Sequence, residues 1–544
     1  MRLAFFLLCF AGCVKRVPDG DQTIVFVARR VRTMDAARPT AEAIAWRHGK
    51  IVAVGDKRVV LDAAGPGAIV ETFADSVIVP GLVDAHAHLA SLGRSLSVIS
   101  LLEVTSEAQA VQRVKAAPPG AFQGEWLMGR GWDQNDWAVQ QYPTKASLDA
   151  LHPTTPVFLV RVDGHAAWVN SEALRRAGIT AATTDPPGGR IMRDETGEPT
   201  GVLIDNAMDA ITAKIPAPSE GEVQLRLKVA LETCARLGLT QVHDAGMDLR
   251  TFRQLQQWDM LGGLPVRLYV MADGQGDEAE QYLGLGTFTG RRLEMRAVKL
   301  LIDGALGSRG AALQAPYTDE PSQRGLLLLS PEVFEQKAKT FAERGFQVAV
   351  HAIGDRANTV VLDALAKLDP KLRHRVEHAQ VLTADDVPKF AKYGIIASFQ
   401  PTHATSDMPW ALARLGPGRL RFAYAWKSVL DTGAHVAFGS DFPVEDPNPL
   451  LGLYAARTRQ DIKGLPAGGW MPEQVLTGDQ ALAGFTTGAA YAAFAEDRRG
   501  MLKEGFDADF VVLPVDPVSD APSSLLSAKV QVTVVDGVDV YRAP

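Results

Sequence analysis

Cysteine is nearly absent from this 544-residue chain: Cys9, Cys13 and Cys234 are all it has. So few thiols exclude a disulfide framework as the source of stability. There is no long basic run either, and the net charge of −7 with a pI near 5.9 gives no support for a nucleic-acid-binding surface. The apolar run that opens the chain, Leu3 to Phe10, falls well short of the roughly 20 residues needed to span a bilayer. Internal repeats and low-complexity tracts are missing. What is present is an ordinary globular composition, 47% hydrophobic and 22% charged, which argues against disorder. The length exceeds one minimal domain and allows a barrel of about 250 residues with large additions.

The first residues differ from the rest. Met1-Arg2 begins positive, an apolar stretch follows, and Ala11-Gly12-Cys13 ends it; together these describe a secretory signal. Ala-Gly-Cys resembles the lipobox of bacterial lipoproteins, whose cysteine is lipidated and becomes the mature N-terminus. Phe10 departs from the Leu usual at the third position before that cysteine. The expectation is a signal over residues 1–13 and an exported protein. A lipid on Cys13 would hold it to a bacterial membrane, facing the periplasm or the exterior. An ordinary signal peptide, or an apolar first strand, is the plainer alternative. Processing would remove Cys9 and acylate Cys13, leaving Cys234 alone.

Short β-rich segments follow: Thr23 to Val27, Ala43 to Trp46, Ile51 to Val54 and Ala68 to Thr72, bounded by Gly, Asp and Pro. Similar ones close the chain at Phe510 to Leu513, Val530 to Val535 and Val538 to Tyr541. The pattern predicts one discontinuous β domain, a small sandwich built from residues 22–80 and 497–544. Between them, residues 81–496 alternate apolar strands with helical stretches, as parallel βαβ units do. Eight strands are expected: Leu82–Ala85, Leu239–Val242, Val266–Met271, Ala297–Ile302, Gln347–Val350, His374–Glu377, Ile395–Phe399 and His435–Gly439. The fold class is therefore α/β, a (β/α)8 barrel. The gap after the first strand is too long for a crossover and predicts an inserted subdomain over residues 90–225, with a strand at Thr155 to Val162.

The chemistry-bearing residues gather at the ends of these strands. Strand one ends in His86-Ala87-His88, and alternation along a strand points both imidazoles the same way, as one metal ion would require. A His-x-His by itself is more often two satisfied or exposed histidines; its place after Pro80-Gly81 and an apolar strand favours the ligand reading. His351 ends strand five, His378 strand six and Asp441 strand eight. Four histidines and an aspartate at the catalytic ends suit zinc or a neighbouring transition metal. Lys299 sits within an apolar strand, where a free ammonium is costly. Beside two dications its neutral amine could take up carbon dioxide and bridge them as a carbamate; a salt-bridged lysine is the alternative.

These segments resemble the amidohydrolase superfamily, specifically the branch of N-substituted formamide deformylase. The resemblance rests on Val79 to His88, Val298 to Ala311 (with Asp303-Gly304-Ala305-Leu306-Gly307-Ser308), His351 to Asn358, Arg375 to Gln380, Gly439 to Pro443 and the Gly505 to Asp509 ending. It covers nearly the whole chain after residue 20. It implies that His86, His88 and Asp441 hold a more buried ion and His351 and His378 a more exposed one. Carboxylated Lys299 and a hydroxide would bridge them. It further implies hydrolysis of a carbon–nitrogen bond other than a peptide bond, with Asp441 passing a proton from the attacking water to the leaving nitrogen. Two divalent ions, zinc foremost, and carbon dioxide for Lys299 are the implied cofactors.

Around the pocket, His165 in Asp163-Gly164-His165 is a candidate for polarising the carbonyl or binding substrate, with a plain loop histidine equally open. Trp132, His243, Gln400 and His403 are candidate substrate contacts. The partner expected is a small molecule, and a homo-oligomer is left open. The same centre would also serve ester, lactone or phosphoester hydrolysis, and a lipid-anchored binding protein that has lost turnover is a third reading.

Overall fold

The computed structural model describes residues 21–134, 137–161, 166–186, 189–307 and 309–544. The signal and lipid-anchor expectation at residues 1–13, and His165, lie outside the described residues. Among the described residues no helix is long and apolar enough to cross a membrane.

Eight parallel strands form a nearly closed barrel in chain order: Leu82–Ala87, Leu239–Met247, Arg267–Asp273, Leu293–Leu301, Gln347–Ala352, Arg375–His378, Ile396–Phe399 and Val436–Phe438. The strands fall where apolar runs predict them. The second runs five residues further, through His243-Asp244-Ala245-Gly246-Met247, because its ladder with the third strand continues past the apolar run. At the N-terminal ends of the strands the chain after the last barrel helix acts as a plug. Val83 N–H donates to the Phe485 carbonyl (2.8 Å), and the Gln347 side chain donates to that of Ala492 (3.1 Å). Ala489 and Ala492 pack with Val83, Ala85, Ile396 and Ala437. This end is filled with small apolar groups, so the polar inward side chains collect at the other.

Both chain ends enter a single seven-stranded sheet, in the order Val538–Arg542, Val532–Val535, Phe510–Leu513, Ile69–Pro80, Ile24–Arg32, Thr40–Arg47 and Lys50–Gly55. Trp46 and Phe510 lie three strand spacings apart, about 14 Å in a flat sheet. Their ring centroids are 5.0 Å apart, so the sheet curls over a core that also holds Phe26, Ile44 and Val534. The other face packs Val25, Val27, Ala43 and Ala45 against Val60 of the helix Lys57–Ala64.

Arg267, the first residue of the third barrel strand, ties this sheet to the barrel. Its guanidinium binds Asp509 (2.7 Å) and Asp536, and Arg292 also binds Asp536 (2.8 Å). Arg267 and Asp509 are each less than 8% exposed; Arg267 also pairs with Asp536, so it is removal of Arg267 that leaves a carboxylate, Asp509, buried without its ion-pair partner.

The compact unit Leu89–Ala230 has its own sheet, ordered Gly189–Arg193, Pro199–Asp205, Ala166–Val169, Val157–Arg161, Trp126–Trp132 and Ile99–Ser100, with Phe122–Gln123 paired to Trp126–Trp132. Its core is aromatic: Trp132 lies 6.2 Å from Trp137 and 6.4 Å from Trp168 between ring centroids.

Arg267→Ala is expected to lower stability to urea by about 3–5 kcal/mol, the usual cost of orphaning a buried ion-pair partner. Lys339→Ala, which removes an exposed pair with Glu343, should leave the urea midpoint unchanged.

Candidate active site

Strand one brings His86 and strand eight leads to Asp441, and the two are stitched by backbone. Asp441 N–H donates to the His86 carbonyl (2.7 Å), and His88 N–H to that of Phe442 (2.9 Å). Asp84, buried one turn of the pleat below, accepts from the backbone of His86 and Ser440 (3.1 Å each) and from Ser440 Oγ (2.6 Å). Burial pushes its carboxyl up to about 7 despite these donors. Gly439 allows the approach: a Cβ there would stand 2.4 Å from the His86 nitrogen.

The side chains then converge. His88 Nε2 lies 3.0 Å and His86 Nε2 3.6 Å from Asp441 Oδ1. His403 Nε2 lies 3.7 Å from Asp441 Oδ2. Lys299 Nζ is 3.0 Å from His86 Nε2. The His378 ring is 4.7 Å from that of His86 and 4.5 Å from that of His351. One cluster thus contains His86, His88, Lys299, His351, His378 and Asp441, with His403 added. Two sets within it have donor atoms close enough to share an ion: His86, His88 and Asp441, and His378, His403 and Asp441.

His378 and Asp441 sit at positive φ, 71° and 61°. For non-glycine residues this costs on the order of 1 kcal/mol each and persists only where the surroundings impose it. Here both stand at the mouth, turned out of the strand path towards the cluster.

Burial keeps the imidazoles of His86, His351 and His378 neutral. It lowers His86 to about 4 and His351 to about 3, with Lys299 the next cause in each case, and drives His378 well below the histidine range. Burial also lowers Lys299 to about 8, and among the described residues Lys299 forms no ion pair. For Asp441 burial acts upward, but the hydrogen bond from His88 and the nearby His86, His378 and His403 hold it well below the carboxylate range.

The donor set fits divalent metal. His351 Nε2 and His403 Nε2 are buried and, among the described residues, have no hydrogen-bond partner. His86 spends Nδ1 on Glu377 (2.6 Å) and His378 spends Nδ1 on Gln400 (2.7 Å), so both present Nε2 lone pairs to the cluster.

The amidohydrolase family's sequence profile matches residues 74–541. The chain belongs to the amidohydrolase family. YtcJ of Bacillus subtilis (strain 168), named as an amidohydrolase, is 37% identical over 475 residues, covering 86% of this chain and 89% of its own. The N-substituted formamide deformylase of Arthrobacter pascens is 28% identical over 95% of this chain and 98% of its own. A solved structure of an uncharacterized metal-dependent hydrolase from Pyrococcus horikoshii superposes with a TM-score of 0.76 at 27% identity, covering 92% of this chain and 99% of that one. This amidohydrolase is accordingly a hydrolytic enzyme with a TIM-type barrel.

The remaining candidates make other contacts. Trp132 is fully buried in the core of the Leu89–Ala230 unit, its indole N–H donated to the Leu159 carbonyl (2.8 Å), so packing uses the ring expected to face substrate. His243 is also fully buried: it accepts from Arg375 (3.1 Å) and packs on Tyr269 inside the barrel rather than joining the cluster. Gln400 touches His378, so its amide orients a histidine instead of reaching outward.

The residues that sequence reading passed over in this amidohydrolase are the supports. Glu377, Arg375 and Asp84 are buried under the cluster, and Asp303 accepts from the backbone of Ala312, Ile353 and Gly354 (2.8, 3.0 and 2.8 Å). Their signal was charge at alternate positions of an apolar strand, as in Arg375-Val376-Glu377.

Gly439→Ala is expected to force strands one and eight apart and cost roughly 1–3 kcal/mol or more, with loss of divalent-metal binding. Thermal unfolding and metal analysis of the purified variant check both.

Proposed function

We propose that this amidohydrolase cleaves a non-peptide carbon–nitrogen bond (amide, N-formyl, N-acyl or cyclic amide) in a small molecule, using two divalent ions, zinc foremost. The observation that carries the reading is the convergence of His86, His88, His378 and His403 on one carboxylate, Asp441, which belongs to both ion-sharing sets, with Lys299 against His86. The deformylase that is similar over 95% of this chain acts, by its name, on a bond of this kind. His86, His88 and Asp441 would hold one ion, and His351 and His378 the other, with Lys299 between them. Lys299 fits that place as a carbamate: its neutral amine would add to carbon dioxide, forming an N–C bond and releasing a proton. Burial, which lowers its ammonium to about 8, favours the neutral amine this needs.

Bound ions would acidify a water and polarise the scissile carbonyl. Asp441 receives the proton of the attacking water on a carboxylate oxygen and delivers it to the leaving nitrogen. Amines leave poorly unless protonated, so this transfer is the step that suits the site to C–N bonds. The histidines beneath hold Asp441 ionised and in place to start the cycle. For the mature protein we propose export and a lipid on Cys13.

Purified protein supplied with bicarbonate should contain about two divalent ions per chain, and Lys299→Ala about one or fewer. A screen of formamides, N-acyl amines and cyclic amides should reveal turnover that Asp441→Asn lowers by about 10²–10⁴-fold in kcat, the usual range for a proton-transfer group. One ion in the unmodified protein would demote Lys299 to a structural role; none after reconstitution would overturn the proposal.

A further inference from the structure

His86 and His378 have Nδ1 partners of different charge. His86 Nδ1–H donates to a carboxylate oxygen of Glu377 at 2.6 Å. His378 Nδ1–H donates to the amide oxygen of Gln400 at 2.7 Å. The distances are alike, so the difference is chemical. An ionised acceptor draws the ring proton more strongly than an amide does, leaving more electron density on the far nitrogen.

Glu377 stays ionised although it is fully buried. Arg375 grips it twice, Nε to Oε1 at 2.7 Å and Nη2 to Oε2 at 3.0 Å. The rest of the guanidinium is anchored away from the cluster, on the Ala85 carbonyl (2.7 Å), Ser398 Oγ (3.1 Å) and His243 Nδ1 (3.1 Å). The carboxylate therefore cannot swing off His86. Gln400 is turned by a longer contact of its amide nitrogen with the Ser398 carbonyl (3.4 Å), which leaves its oxygen facing His378.

We propose that Glu377 and Gln400 are positioning residues that make the centre unequal: the carboxylate behind His86 gives the His86–His88 position the tighter ion, and the neutral amide behind His378 leaves the other position the weaker one. This rests on the metal-dependent reading above. It assigns to a strand residue and a mouth residue, neither of which touches an ion, the order in which the centre fills and the position from which an ion is first lost.

The test is titration of metal-free protein with Co²⁺ in the presence of bicarbonate, followed by visible absorption and equilibrium dialysis. Wild type should bind in two separated steps. Glu377→Gln should weaken the tighter step about 10–100-fold, the usual effect of losing such a partner, and leave the weaker one unchanged. Gln400→Glu should tighten the weaker step about tenfold. Thermal unfolding of the metal-free forms reports whether each variant is folded. If Glu377→Gln does not fold because Arg375 loses its partner, Gln400→Glu decides the matter alone. Folded variants that titrate like wild type, or effects that fall on the opposite steps, overturn the inference while leaving the metal reading standing. Wild-type protein that takes up no Co²⁺ overturns the metal reading, and the inference with it.

Discussion

The carboxylate of Glu377, shared between Arg375 and His86 where water does not reach, sets the constraint around which the barrel mouth is built. A lone carboxylate in that position would lose several kilocalories per mole of hydration. The guanidinium on one side and the imidazole N–H on the other replace what water supplied, and in doing so they fix the tautomer and direction of His86. Each other feature of the cluster is located relative to that ring: Lys299 at its free nitrogen, Asp441 across from it, and His378 beside it.

The surrounding fold serves to hold strands one and eight in register at this point. Asp84, Ser440 and Gly439 close the seam on the barrel side, and alanines fill the opposite end. Small apolar side chains at one end and charged, hydrogen-bonded ones at the other produce a polarity gradient along the barrel axis. A reactive centre benefits from such a gradient, since low dielectric strengthens every charge interaction within it. The curled end sheet attaches through Arg267 and Arg292 at the foot of strands three and four, away from the chemistry.

Much of this was legible in the chain. His86, His88, His351, His378 and Asp441 declared themselves because each follows an apolar strand, and Lys299 because an ammonium in such a strand demands a reason. Trp132, His243 and Gln400 were harder, because residue type says little about direction near a loop or a strand end. A tryptophan next to a turn can face a ligand or a core, and here three indoles packing together decided for the core. His243 looked like a residue at a strand end only because the second strand was expected to stop at Val242; the ladder runs on to Met247 and leaves the histidine inside.

The order of apolar runs and the residues ending them therefore determined the barrel, its eight strands and the donors at its mouth, since burial and strand periodicity are properties of neighbouring residues. Only the tertiary structure decided which acceptor stands behind each imidazole. Glu377 lies 291 positions from His86, and Gln400 lies 22 from His378. Closing the barrel makes the first of these pairs neighbours, and a hydrogen bond across such a separation depends on strand order and register, which no local pattern carries.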